Sequence, residues 1–222
     1  MILKSISINN IMKFKGKDKV VKQVQTKLGL KADGIDGPNT WKMIWENLIH
    51  DGKGEPEKPE PPVVDIKDDY SEVYKASPNQ SGKIRPKFII LHHSSGSHDG
   101  TKSWILNKAS QVSYHYLIAA DGSRTQFVYD TKKAWHAGRS KWNGVSGLNS
   151  HSIGISFYGN THSRTPSAAE IDSAAKKCIY LMDKFGIALD GILTHKMVSP
   201  GRKDDPSEET YKLVIARIKE LA

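Results

Sequence analysis

Twelve residues in the first third of the chain, Asp51–Pro62 (DGKGEPEKPEPP), constrain the rest more than any other feature. Four prolines fix φ and withdraw their N–H groups from any hydrogen-bonded ladder. Charges of both signs fill the positions between them, so the stretch has nothing to bury and stays extended. It therefore reads as a linker, taken as residues 51–65, between two separately folding units. The first covers residues 1–50. The second covers 66–222, the size of an ordinary single domain.

The first unit reads as a small all-α domain. Between Lys19 and Leu28, Val20, Val21, Val24 and Leu28 recur at helical spacing. A loop, LGLKADGIDGPNT, follows, and Pro38 opens a second helix. In that helix Trp41, Ile44, Trp45, Leu48 and Ile49 share one face. The segment VKQVQTKLGLKADGIDGPNTWKMI resembles the helical peptidoglycan-binding repeat attached to many wall hydrolases, through Val24, Gln25, Leu28, Gly29, Asp33, Gly34, Ile35, Asp36, Gly37, Pro38 and Thr40.

The second unit alternates strands and helices. KFIILHH (Lys87–His93) is a short apolar run and reads as a buried strand. A short helix is expected over Thr101–Lys108. A strand over Val112–Ala119 should turn at Asp121-Gly122 into another over Arg124–Val128. SIGISFY (Ser152–Tyr158) is a further strand, and Ile192–Thr194 a last one. Ser167 and Glu170 have the spacing of a capping box for a helix running to about Phe185, with Ile171, Ala175, Cys178, Met182 and Phe185 inward. Pro206-Ser207 opens a C-terminal helix with Tyr211, Val214, Ile215 and Ile218 inward. The expected class is α/β, a mixed central sheet with flanking helices.

Two of these strands end in histidine, His92 and His195. After the second comes THKMVSPGRKDDP (Thr194–Pro206), where the Pro200-Gly201 turn can bring Asp205 back to His195. Two imidazoles and one carboxylate make the ligand set of a catalytic zinc ion with one position left for water. A structural zinc site favours four ligands with cysteine among them, and the single cysteine, Cys178, lies in a helical apolar pattern that should bury it. Lys203, between the ligands, would stand beside the metal without binding it, placed to hold a developing oxyanion.

The segments IILHHSS, SYHYLIAADG, AWHAG, NSHSIGI and THKMVSPGRKDDP, in this order, resemble the zinc N-acetylmuramoyl-L-alanine amidases, which share a fold with phage amidase-lysozymes and peptidoglycan recognition proteins. The resemblance covers about Lys83 to the C-terminus. It implies that His92, His195 and Asp205 are zinc ligands, that Tyr114 assists the attacking water, and that Lys203 steadies the tetrahedral intermediate. It further implies that His136 lines the substrate cleft. Ser156 stands where another branch of the family carries a glutamate base, so the chain fits the tyrosine branch, while Asp205 replaces the cysteine ligand some members of that branch use. Of the tryptophans, Trp142 in the loop KWNGVSG is the expected substrate contact. The implied reaction cleaves the amide between N-acetylmuramic acid and L-alanine, in the manner of a modular phage endolysin that lyses its host.

The formal net charge is +9, with nine Lys against four acids in residues 1–50 and an acidic linker. Such a surface favours polyanions without choosing among them. Peptidoglycan is the expected partner, and nucleic acid is not, since only net charge speaks for it. The N-terminus lacks the apolar core of a signal peptide, and no run approaches a membrane span, so no stable membrane insertion is expected. Synthesis in the host cytoplasm, release to the periplasm or cell wall, and a monomer are the corresponding expectations. The alternative reading is a non-catalytic peptidoglycan recognition module on the same fold.

Overall fold

The computed structural model describes residues 68–222. The helical pair expected over residues 1–50 and the linker over 51–65 lie outside the described residues. Six strands form the main sheet, in the order β1 (Glu72–Tyr74), β5 (Arg124–Gln126), β4 (Tyr116–Ile118), β9 (Ser152–Phe157), β3 (Phe88–His93) and β10 (Ile192–Thr194). Only β4 and β5 pair antiparallel, joined by the expected turn at Asp121-Gly122; the other pairings are parallel. The fold is thus the mixed α/β architecture that the sequence predicts.

The two central strands are buried along almost their whole length because both faces of the sheet are covered. On one face, Ile89 and Leu91 of β3 join Ile153, Ile155 and Phe157 of β9 against helices α2 (Ala168–Phe185) and α4 (Glu208–Leu221). Side chains alternate across a strand, so Ile90 and His92 of β3, with Ser152, Gly154 and Ser156 of β9, face the other way. That second face is covered by loops and by α1 (His98–Leu106), through clusters around Ile90, Leu148 and Leu193 and around Ile105, Leu117 and Phe127.

Helix α2 has the capping box its sequence announces: Ser167 Oγ accepts from the Glu170 N–H, and the Glu170 carboxylate accepts from the Ser167 N–H. It ends at Gly186, whose φ of +67° suits a residue without Cβ. Among the described residues, no helix is long and apolar enough to cross a membrane.

Four expectations change. The strand over Val112–Ala119 shrinks to β4, because Ser113 N–H goes to the Trp135 carbonyl and its hydroxyl to Asn79, which leaves the sheet ladder. The strand over Arg124–Val128 stops at Gln126, as Phe127 and Val128 turn into the core. Helix α1 begins three residues earlier than expected, capped by Ser97. The stretch before Ser81, to which no element was assigned, holds the exposed edge strand β1 and the start of β2 (Gln80–Lys83), which pairs with β6 (Lys132–Ala134) apart from the main sheet.

Candidate active site

Neighbouring parallel strands bring the two histidines together. β10 pairs with β3 so that Thr194 stands opposite Leu91, and the next residue of each strand is His195 and His92. Thr194 caps a single helical turn, α3 (His195–Val198), by accepting from the Met197 N–H. The chain then folds back: Arg202 and Lys203 both donate backbone N–H groups to the Ser199 carbonyl, and Lys196 N–H donates to the Asp205 carbonyl at 3.1 Å. Asp205 is thereby set against both rings.

The resulting cluster is tight. His92 Nδ1 lies 3.1 Å from His195 Nδ1 and 3.2 Å from Asp205 Oδ2, and His195 Nδ1 lies 3.1 Å from Asp205 Oδ1. All three side chains are buried, His92 completely. Tetrahedral bonds of 2.0–2.2 Å would separate ligand atoms by about 3.3–3.6 Å, close to the spacing found. Proton placement agrees. His195 Nε2 meets the Ala137 carbonyl at 3.2 Å, which has no hydrogen to give, so Nε2 carries the proton and Nδ1 the lone pair. Arg202 Nη2 lies 3.3 Å from that same nitrogen, but three oxygens within 2.7–3.1 Å compete for its two hydrogens.

Ionisation points the same way. Burial, then the neighbouring His195, pushes His92 down to about 4, so it is neutral near pH 7. Burial works against ionisation of Asp205, but its bonds to His195 and His92 outweigh this and hold it well below the usual carboxylate range. A neutral imidazole and a carboxylate are the forms that bind a cation. Among the described residues this is the one group of three or more His, Cys, Asp or Glu side chains close enough to share an ion.

His195 and Asp205 of this cluster line a cleft of about 770 Å³, with His92 buried behind them. Tyr114, Trp104 and Trp135 line it, as do Arg202 and Lys203. Lys203 is exposed on the loop between His195 and Asp205, which it separates in sequence. The Tyr114 ring lies 5.1 Å from the His92 ring. Burial, then the Asp205 charge, raises its pKa, while a hydrogen bond with Ser156 opposes the shift. The phenol therefore keeps its proton and acts as a hydrogen-bond donor. Ser156, at the position where a glutamate was the alternative, faces His92 across the β3–β9 pair.

His136 also lines the cleft, with its Nδ1 3.0 Å from His92 Nε2. Its ring lies on Gly154, where any Cβ would stand 2.6 Å from His136 Cγ. Burial, then the histidines around it, holds His136 well below its ordinary pKa.

Trp142 is not among the lining residues of this cleft. It sits in a hairpin of β7 (Lys141–Trp142) and β8 (Val145–Ser146), half-buried against the Ile90–Leu148 cluster, and lines a separate pocket of about 440 Å³. The Asn143-Gly144 turn, with φ of +43° and +82°, folds this loop back on itself as an antiparallel hairpin. Trp104 and Trp135 take the place expected of it. Nothing in the spacing of the tryptophans distinguishes these three; position relative to the sheet does. His93 turns away from the ligands, as alternation requires, and pairs with Thr161. His98 is half-buried.

Comparison with known proteins agrees with this geometry. Over 142 residues the chain is 28% identical to the N-acetylmuramoyl-L-alanine amidase AmiD of Escherichia coli K12, covering 57% of this chain and 51% of that protein. It is 35% identical over 96 residues to the 1,6-anhydro-N-acetylmuramyl-L-alanine amidase AmpD of Salmonella typhimurium, covering 43% and 51%. The chain thus spans about half the length of the curated relatives it matches. A mutant endolysin from Bacillus subtilis has the same fold, with a TM-score of 0.55 over 67% of this chain and 99% of that one, at 22% identity. The family model for N-acetylmuramoyl-L-alanine amidase matches residues 82–208. That match takes in more than half of the sequence and all three members of the buried triad, and the chain belongs to the N-acetylmuramoyl-L-alanine amidase family.

Proposed function

We propose that this protein hydrolyses the amide joining N-acetylmuramic acid to L-alanine in peptidoglycan, with zinc held by His92, His195 and Asp205. The observation that carries the reading is the buried triad, with donor atoms 3.1–3.3 Å apart, at an open cleft in a chain of the amidase family. Zinc, when bound, lowers the pKa of water and polarises a carbonyl. The chain's own residues do the rest. The aromatic wall of Trp104 and Trp135 receives the substrate and excludes water. Lys203, which lines the same cleft, stabilises the negative charge that develops on the carbonyl oxygen as water adds to the carbon. Tyr114, a permanent donor, orients the reacting oxygen. The C–N bond then breaks, leaving a lactyl carboxylate on the sugar and a free alanine amine.

The wider role proposed is that of a modular endolysin. Residues 1–50 would bind the wall, and the enzyme would be made in the host cytoplasm and act on the wall after release, as a monomer. The likeness of residues 21–44 to the peptidoglycan-binding repeat and the fold shared with an endolysin from Bacillus subtilis support it. Hydrolysis is favoured over a recognition-only module because the triad, Tyr114 and Lys203 are all present at one cleft.

Digestion of purified sacculi tests the reaction. New L-alanine amino termini should appear without new reducing sugar ends, chelation should stop their release, and zinc should restore it. Reducing ends without amines would show a glycosidase instead.

A further inference from the structure

Behind the triad runs a line of hydrogen bonds whose proton direction is set at its far end. The Leu148 carbonyl has no hydrogen to give, so Ser152 Oγ–H, 2.6 Å away, donates to it. Ser152 Oγ then offers a lone pair to His136 Nε2 at 3.4 Å. That makes Nε2 the protonated nitrogen of His136 and leaves Nδ1 as an acceptor. His92 Nε2 lies 3.0 Å from this Nδ1 and donates to it. The lone pair left over is on His92 Nδ1, the atom that faces His195 and Asp205.

We propose that His136 is a positioning residue: it fixes the tautomer and ring orientation of His92 and so sets the metal affinity of the triad. The proposal rests on the triad's being a zinc site. His136 is held for this task by several neighbours. Its backbone N–H and that of Ala137 both donate to Asn149 Oδ1, at 3.0 and 2.7 Å. His115 meets its ring edge-on at 5.6 Å, and His115 is itself fixed, accepting from Gly154 N–H and donating to the Lys132 carbonyl. Beneath it, Gly154 leaves the space the ring occupies. The atoms a Cβ would strike at 2.6 Å are Cγ and Nδ1, at the root of a buried ring that has no room to retreat. The adjoining Ala137 carbonyl holds the outer nitrogen of His195. Two consecutive residues of AWHAG thus hold the outer nitrogens of both histidine ligands, one by side chain and one by backbone. Outer partners of this kind typically change metal affinity by about 10–100-fold.

The test measures zinc dissociation constants of the full chain by competition with a chromophoric chelator, alongside the His92 tautomer of the metal-free protein by long-range proton–nitrogen NMR. His136→Leu should weaken zinc binding by about 10–100-fold and remove the preference for protonated Nε2 on His92. His136→Gln should restore most of both, because the Gln carbonyl can accept from His92 Nε2. Gly154→Ala should weaken binding as His136→Leu does. Should His136→Leu fail to fold, Ser152→Ala carries the same test through the end of the line, with a smaller fall in affinity and a mixed tautomer. Parental affinity in His136→Leu, or no rescue by Gln in a folded variant, would overturn the proposal. A parent chain with no zinc affinity would overturn the metal site together with it.

Discussion

Metal content and turnover measured on the same samples separate the roles around the triad. Lys203 and Tyr114 line the cleft but contribute no atom to the 3.1–3.3 Å cluster. Lys203→Ala and Tyr114→Phe should therefore keep parental zinc content while turnover on a soluble muropeptide falls. Loss of one oxyanion-stabilising group costs about 10²–10³ in turnover, roughly 3–4 kcal/mol. His195→Ala and Asp205→Ala should lose zinc and activity together, because each leaves a two-ligand site. Zinc loss in Lys203→Ala would make Lys203 a clasp on the 195–205 loop rather than a group acting on substrate. Parental turnover in Tyr114→Phe would reduce Tyr114 to a piece of cleft wall.

At the scale of elements, helix α2 shows how local sequence and packing share the work. Its start is written in Ser167 and Glu170, and the structure adds that Glu170 is fully buried and paired with Arg164. Ser167 Oγ also donates to the Ala120 carbonyl at 2.7 Å, tying the helix start to the β4–β5 turn. Ser167→Ala removes the cap and this tie, and should lower stability by about 1–2 kcal/mol. In a domain of this size that corresponds to roughly 2–8 °C in Tm, readable by thermal unfolding followed by circular dichroism. An unchanged Tm would mean that Glu170 and Arg164 hold the helix start without the serine.

For the whole molecule, the buried histidines predict acid sensitivity of the metal-free form. Burial pushes His92 and His115 down to about 4, and His136 well below its ordinary value. The unfolded chain takes up these protons near pH 6.5, whereas folded His92 and His115 do not until about pH 4 and His136 resists in the same direction. Their contribution is therefore complete above pH 6.5 and is lost as pH falls toward 4. Asp205, held low, loses its own contribution only at still lower pH. The Tm of chelated protein should fall steadily between pH 6.5 and 4, and a flat profile would contradict the burial of these neutral rings. The linker makes a second prediction at this scale. A shortened chain beginning at Val63 should keep activity on small muropeptides but lose binding to intact sacculi, because tethering raises local concentration on a polymer. Equal sacculus binding by both chains would give residues 1–50 another task.

The sequence by itself determined the α/β class, the central strands, the two long helices and the residue types of the buried triad. Each of these is a local matter: an apolar run of strand length, a 3.6-residue stripe behind a capping box, a strand that ends in histidine. Tertiary structure decided what depends on register and on the opposite face of the sheet. Thr194 lies opposite Leu91, and that register sets His195 beside His92. Gly154 is read in sequence only as a small residue in a strand, and its role appears once the His136 ring is seen lying on it. Trp104 and Trp135 reach the cleft while Trp142 does not, because α1 and the segment after β6 contribute to its lining and the β7–β8 hairpin lines a separate pocket. Side-chain pattern reports which way a residue points relative to its own element. Which neighbour it meets is fixed by how the elements pair.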